Sequence, residues 1–346
     1  MSKIKVLIVD DSALIRSILS EIMAEDPQIE VVGTAIDPYD AREKIKQYNP
    51  DVITLDVEMP KMDGLSFLEK IMTLRPTPVI MVSTLTGKGT DVAISALEIG
   101  AVDCIAKPRV TNEEELNAFG LELCRKIHIA SKARLSKNRN IAAPKEDNNK
   151  IYKLQKNAPK LIAIGASTGG VETITEIMMQ LPKETPPIII TQHMPAGFTQ
   201  SFANRLSTKC ALQIAEASQG MKLEAGKAII ACGGRHLQLH ASKTHYECIL
   251  DDGELVSGHK PSVDVMFNSV AKYVKDDALG IILTGMGKDG AKGLLAMRQS
   301  GAHTIAQSEA SCVVYGMPRQ AVEIGAANEI IDLHNIAKII KQRCFQ

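Results

Sequence analysis

Two stretches of this chain repeat one rhythm: a short apolar run rich in β-branched residues, then a segment with helical spacing. This constrains the fold more than any other feature, because strands separated by helices run parallel rather than pairing as hairpins. In residues 1–110 the runs are Ile4–Val9, Ile29–Thr34, Val52–Leu55, Val79–Val82 and Val102–Ile105. Amphipathic stretches such as Ser12–Ala24 and Leu65–Leu74 lie between them. The pattern predicts an α/β fold with a five-stranded, doubly wound parallel sheet. The rhythm restarts at Lys160-Leu161-Ile162-Ala163-Ile164 and returns at Pro187–Thr191 and Leu279–Thr284. Between about Ala211 and Ile249 the pattern is shorter and alternating, which predicts β-hairpins added to a second α/β sheet.

From about Ser131 to Pro159 the periodicity fades into Ser, Lys, Asn and Pro, a composition suited to a flexible joint. Charge marks the same place. Residues 1–110 carry 12 Lys and Arg against 17 Asp and Glu, residues 125–160 carry 11 against 2, and residues 161–346 balance at 17 each. The expected organisation is a first domain over 1–125, a basic linker over 126–158 and a second domain over 159–346. The basic runs are short and lack interleaved aromatics, and the chain has no Trp, so a nucleic-acid partner is not expected. No apolar run approaches the roughly 18 residues of a membrane span, and Met1–Val6 enters a strand-like run rather than a signal pattern. The 7 cysteines are odd in number, scattered and never spaced CxxC, which predicts reduced thiols in a cytoplasmic protein rather than disulfides or zinc.

Chemistry in a parallel sheet gathers beyond the carboxyl ends of its strands. In the first block Asp10-Asp11 follows strand one, Asp56 follows strand three, Ser83 closes strand four and Lys107-Pro108 follows strand five. Clustered carboxylates repel one another and favour a divalent cation, and oxygen-only ligands suit Mg²⁺. Asp56, at the centre, would attack phosphorus to form an aspartyl phosphate, with Lys107 and Ser83 on the phosphoryl oxygens. The plainer alternative makes the acids solvated helix caps, with Asp11 and Ser12 capping the next helix.

Val9-Asp10-Asp11-Ser12, the run Leu55 to Gly64 and Ala106-Lys107-Pro108 together resemble a bacterial response-regulator receiver domain. The resemblance implies phosphorylation of Asp56 by a histidine kinase, with Asp10, Asp11, Asp56 and the Glu58 carbonyl around Mg²⁺. Cys104 stands where many receivers carry an aromatic residue, which puts a switch based on a rotating ring in doubt here.

The second block opens with a strand, then Gly165-Ala166-Ser167-Thr168-Gly169-Gly170, then a helical pattern from Val171. Gly-x-Ser-x-Gly between strand and helix is the context of a nucleophile elbow, with Ser167 raised on a sharp turn and a helix N-terminus available to an oxyanion. The same segment could also cradle a phosphate or be a plain turn. Among the 8 histidines, His193 follows the strand Pro187–Thr191 and so shares an edge with Ser167. His236, His240 and His245 fall in the alternating region and read as surface or structural, while His259 and His303 are expected farther from that edge. Strand Leu279–Leu283 runs into a Gly-rich loop carrying Asp289, the expected orienting acid, whereas Asp251, Asp252, Asp276 and Asp277 read as solvated. The order Ser167, His193, Asp289 differs from that of α/β-hydrolases.

Ile164–Gly170, Gln192–Pro195, Gly233–His236, His259–Asp264 and Leu283–Gly290 together resemble the chemotaxis-specific protein-glutamate methylesterase family, with Cys232 where a Pro is expected. The resemblance implies hydrolysis of glutamate methyl esters on the cytoplasmic helices of chemoreceptors, deamidation of selected glutamines, and an oxyanion held by backbone N–H groups near Thr168 and Met286. No cofactor is expected in this second domain, and a monomer is expected. Domain order suggests that the unphosphorylated receiver covers the Ser167 edge and that phosphorylation opens it. A DNA-binding response regulator would explain the basic stretch but finds no helix-turn-helix-sized unit. A nucleotide-dependent oxidoreductase would explain the Gly-rich turn but leaves His193 and Asp289 without roles.

Overall fold

The computed structural model describes residues 2–59, 62–83, 87–107, 113–135 and 152–346, so Pro60, Lys61, Pro108 and residues 136–151 of the expected joint lie outside it. The chain divides into two compact units, Met1–Arg139 and Asn140–Gln346. No helix among the described residues is long and apolar enough to cross a membrane. All seven cysteines are free.

The first unit alternates β1 (Ile4–Val9), α1 (Ala13–Ala24), β2 (Ile29–Ala35), α2 (Pro38–Tyr48), β3 (Val52–Asp56), α3 (Gly64–Leu74), β4 (Val79–Ser83), α4 (Gly87–Ile99), β5 (Asp103–Ala106) and α5 (Glu113–Ala130). Every strand pairing is parallel, in the order β2-β1-β3-β4-β5. Each residue of β3 and β4 is buried, as expected of central strands covered on both faces by helices. Ser12, Asp37 and Asp63 cap α1, α2 and α3, each accepting a backbone N–H at the helix start, a contact worth about 1 kcal/mol. The caps and the pocket coexist: Ser12 caps α1 while Asp10 and Asp56 point into the strand-end cleft.

The second unit contains β6 (Leu161–Ala166), α6 (Gly170–Met178), β7 (Ile188–Gln192), α7 (Phe198–Lys209), β8 (Gln213–Glu216), β9 (Lys227–Ile230), β10 (His236–Ala241), β11 (Tyr246–Asp251), α8 (Val263–Tyr273), β12 (Ala278–Ile282), α9 (Ala291–Gln299), β13 (His303–Gln307), α10 (Met317–Glu323), β14 (Glu329–Ile331) and α11 (Leu333–Cys344). Seven strands form one parallel sheet in the order β14-β13-β12-β6-β7-β9-β8. Strands β6, β7 and β12 are buried throughout, which accounts for their unbroken apolar runs. The expected hairpin region is half right. Strands β10 and β11 form an antiparallel hairpin, but β8 and β9 extend the main sheet in parallel, at an edge where β8 alternates buried with exposed residues.

The basic joint placed from residue 126 overlaps ordered structure at both ends. Helix α5 runs to Ala130, and its Lys126 is buried with Nζ 2.7 Å from Asp103 Oδ1. At the other end Leu154 pairs antiparallel with Phe345, and the Gln155 N–H donates to the Cys344 carbonyl at 3.0 Å. Counting charge alone could not separate a helix's last turn from the segment that follows.

Candidate functional site

In the first unit the ends of β1, β3 and β5 bring Asp10, Asp11, Asp56 and Lys107 together. Asp10 and Asp56 are buried and Asp11 is exposed, and one oxygen from each lies within 4.8 Å of the others. Lys107 Nζ stands 2.8 Å from Asp56 Oδ2 and 3.0 Å from Asp10 Oδ2. The second contact is an ion pair, and Asp10 Oδ2 is buried with no hydrogen-bond partner among the described residues. Burial, reinforced by the neighbouring Asp10 charge, pushes the Asp56 carboxyl up to about 6 against the pull of Lys107. Burial opposes the Lys107 charge, but its two carboxylate partners more than offset this and raise its pKa.

A buried oxygen with no hydrogen-bond partner and three clustered carboxylates against one ammonium fit a hard divalent cation such as Mg²⁺. Glu58 is exposed and its N–H donates to Asp56 Oδ1 at 3.3 Å. Ser83 is buried at the end of β4, its carbonyl accepting the Lys107 N–H at 2.7 Å and its hydroxyl donating to the Gly89 carbonyl at 3.3 Å. Sequence reasoning passed over Arg16, whose guanidinium donates to the Asp10 and Asp11 carbonyls at 2.8 and 2.9 Å and so fixes the acidic loop from the first turn of α1. Cys104 is buried, and burial pushes its thiol up to about 12, so it fills space as a neutral side chain.

In the second unit β6 pairs with β7 on one side and β12 on the other, so the chain reverses its winding direction at β6. Crevices open at such a switch point. Ser167 follows β6, His193 follows β7, and Asp289 lies in the loop after β12. The ladder continues past the strand ends: the His193 N–H donates to the Ala166 carbonyl at 3.1 Å, and Gln192 Nε2 donates to the Ser167 carbonyl at 2.9 Å. The turn that carries Ser167 needs its glycines. Gly169 has φ +76°, and a Cβ there would meet Val313 at 2.6 Å. A Cβ on Gly285 would meet Ser167 Cβ at 2.6 Å, so the β12 loop approaches the serine as closely as backbone allows.

His193 Nε2 lies 2.8 Å from Asp289 Oδ2, with both side chains buried. Asp289 also accepts from Ser262 Oγ at 2.7 Å and from the N–H groups of Val263 and Asp264 at 2.7 and 3.1 Å. Burial alone would raise its pKa, but His193, Ser262 and the Val263 N–H together hold the carboxyl below its ordinary value. Asp264 moves the opposite way, raised by burial and by the nearby Asp289 charge. An ionised Asp289 therefore accepts from Nε2–H and leaves His193 Nδ1 as the basic nitrogen, and that atom is buried with no hydrogen-bond partner. Ser167 Oγ makes no hydrogen bond to either ring nitrogen. Thr168 is buried, its carbonyl accepting from Thr284 Oγ1 at 3.0 Å, and Met286 is 39 % exposed in the Gly-rich loop.

One expectation is overturned here. His259 is not remote from this edge: its ring stacks on His193 with centroids 3.7 Å apart and planes 11° from parallel. The loop before α8 folds back across the strand ends, a path that linear position did not reveal. Ser262 was likewise missed as a partner of Asp289, although a Ser ahead of a helical pattern is an N-cap signal and Ser262 does cap α8. His236 is structural as expected, buried and bridging the Glu254 carbonyl and the Ser262 N–H. Cys232 is half-buried, its Sγ 3.5 Å from the Gly233 carbonyl.

A family model described as CheB methylesterase matches residues 162–340, and one described as response regulator receiver domain matches residues 6–118. A protein-glutamate methylesterase/protein-glutamine glutaminase of Pectobacterium atrosepticum is 52% identical over 338 residues, covering 98% of this chain and 96% of that protein. The counterpart from Salmonella typhimurium matches with the same 52% identity and the same 98% and 96% coverage. Among solved structures, the Thermotoga maritima CheB methylesterase catalytic domain is similar with TM-score 0.52 and 36% identity, covering 54% of this chain and 98% of that one.

Proposed function

The chain belongs to the CheB methylesterase family, and from that premise we propose how its own residues carry the reaction. It hydrolyses protein glutamate methyl esters and glutamine amides as a phosphorylation-regulated enzyme of chemotaxis adaptation. A receptor is its substrate and a kinase its phosphodonor. More narrowly, we assign the substrate to the cytoplasmic helices of chemoreceptors, the phosphodonor to a chemotaxis histidine kinase, and the working enzyme to a cytoplasmic monomer.

The catalytic residues are Ser167, His193 and Asp289. His193 Nδ1 takes the Ser167 proton as Oγ attacks the ester carbonyl. Backbone N–H groups of Thr168 and Met286 hold the oxyanion, and among the described residues the Met286 N–H has no backbone acceptor. Collapse breaks the bond to methoxide, which takes the proton from His193 and leaves as methanol. Water, deprotonated by the same nitrogen, then attacks the glutamyl-serine ester; the acyl–Oγ bond breaks, Ser167 Oγ takes that proton back from His193, and the free carboxylate leaves. With a glutamine substrate the leaving group is ammonia. Asp289 holds the tautomer and stabilises the transient imidazolium. The observation that carries this reading is the 2.8 Å His193–Asp289 bond beside the β6 turn, with three further donors on the same carboxylate.

In the first unit Asp56 is the phosphate acceptor, and Lys107 and Ser83 hold the transferred group. Mg²⁺, held by Asp10, Asp11, Asp56 and the Glu58 carbonyl, would offset the charge gathered during transfer. Methanol release from methylated receptor, measured for wild type, Ser167→Ala and Asp56→Ala with and without a small phosphodonor, tests both halves. Ser167→Ala is expected to release none and Asp56→Ala to lose the phosphodonor response; full activity in Ser167→Ala would end the reading.

A further inference from the structure

One hydrogen bond does not fix an imidazole. With Nε2 tied to Asp289 at 2.8 Å and Nδ1 unpartnered, the His193 ring could swivel about the line through that bond, changing where Nδ1 points. Contact with the ring faces opposes that motion. The His259 ring supplies it, lying on His193 at 3.7 Å with an 11° tilt. We infer that His259 is a positioning residue for ester hydrolysis, fixing the plane of His193 so that Nδ1 can serve Ser167 during the reaction.

The backbone around His259 is built to hold such a clamp. Val256 and His259 exchange two backbone hydrogen bonds, of 3.1 and 3.0 Å. The two residues between them, Ser257 and Gly258, have φ of +53° and +80°, the signature of a tight hairpin turn with both central residues left-handed. Three residues further on, Ser262 Oγ and the next two N–H groups bind Asp289. A single loop therefore fixes the acid that orients His193 and the flat face that stops it turning. Misplacing a general base by about 1 Å can cost roughly 100-fold in rate, so the clamp acts on kcat. Acting through His193, it is expected to leave KM little changed.

The inference rests on the Ser167–His193–Asp289 assignment, and its test separates the two. The experiment is methanol release from methylated receptor by the full chain with a phosphodonor, comparing wild type, His259→Ala, His259→Phe and Ser167→Ala, with melting curves for each. His259→Ala removes the flat partner and is expected to lower kcat on the order of 10–100-fold with KM changed less than about twofold. His259→Phe keeps a flat ring and is expected to restore kcat to within about threefold of wild type. A wild-type kcat in His259→Ala, or a His259→Phe enzyme that melts normally yet falls as far as His259→Ala, overturns the clamp. If His259→Ala melts early, His259→Phe decides by itself: near-wild-type kcat supports the clamp and a large loss sinks it. Activity in Ser167→Ala would instead overturn the triad beneath it.

Discussion

Asp289 accepts from His193 Nε2 at 2.8 Å and from Ser262 Oγ at 2.7 Å, so one buried carboxylate joins the end of β7 to the cap of α8. The carboxylate serves two purposes through these bonds. It selects the His193 tautomer, and it consumes donors that burial would otherwise leave unsatisfied.

The two purposes separate by mutation. Asp289→Asn retains shape but presents an amide to Nε2, and methanol release should fall by roughly 10,000-fold with receptor KM little changed. Asp289→Ala should lose activity to the same extent and also lose stability, at about 1–3 kcal/mol for each abandoned buried donor, read as a lower melting temperature of the second unit.

Gly285 faces Ser167 with no room for a methyl group, since an added Cβ would lie 2.5 Å from Met317 Sδ and 2.6 Å from Ser167 Cβ. Gly285→Ala should therefore displace Ser167, cost about 1–3 kcal/mol of stability and, with Ser167 as the proposed nucleophile, reduce kcat at least tenfold. An enzyme with wild-type kcat would show that the β12 loop does not set the position of Ser167.

The receiver pocket predicts a pH dependence. Asp56 titrates at about 6 in the folded chain against an ordinary value near 3.8, so between those values the folded state holds a proton that the unfolded chain releases. Stability of the first unit should thus fall as pH rises through that window in the presence of a chelator. Asp56→Asn should abolish the fall and stabilise the first unit at pH 7 by about 2–3 kcal/mol, with the difference gone by about pH 4. Denaturant titrations at several pH values would check this, and a wild-type stability rising over the same range would contradict it.

Cys104, Cys248 and Cys344 are buried, and burial pushes each thiol up to about 12. At pH 8 iodoacetamide should leave all three unlabelled in the native chain and label them after denaturation. Labelling of Cys104 in the native state would show that the β5 end opens far more than its burial implies.

An inhibitory role for the first unit predicts that removing residues 1–150 raises basal methanol release in the absence of a phosphodonor. An unchanged or lower rate in a fragment that melts cooperatively would refute that role.

Much of this was legible in the sequence, for one physical reason. In a parallel sheet the residue after a strand's carboxyl end is fixed to one edge, so Asp10, Asp56, Ser83, Lys107, Ser167 and His193 could be placed from local pattern alone. Asp289 followed the same logic through the loop after β12. His259 and Arg16 were not legible, because each reaches its partner through space: His259 across a returning loop, Arg16 from the next helix back to the carbonyls of Asp10 and Asp11. Strands β8 and β9 were misread for a different reason. At a sheet edge one face is open to water, and the resulting alternation looks the same in a parallel strand as in a hairpin.

The strand order of the second sheet also bears on protein synthesis. Strand β6 is the first of its sheet to leave the ribosome, yet its neighbour β12 is made more than 100 residues later, with Asp289 after it. A nascent chain can present Ser167 and His193 while the acid that completes them is still untranslated. Chains cut short before Asp289, by stalled translation or by a nonsense mutation, therefore carry the whole first unit but lack the carboxylate that binds His193.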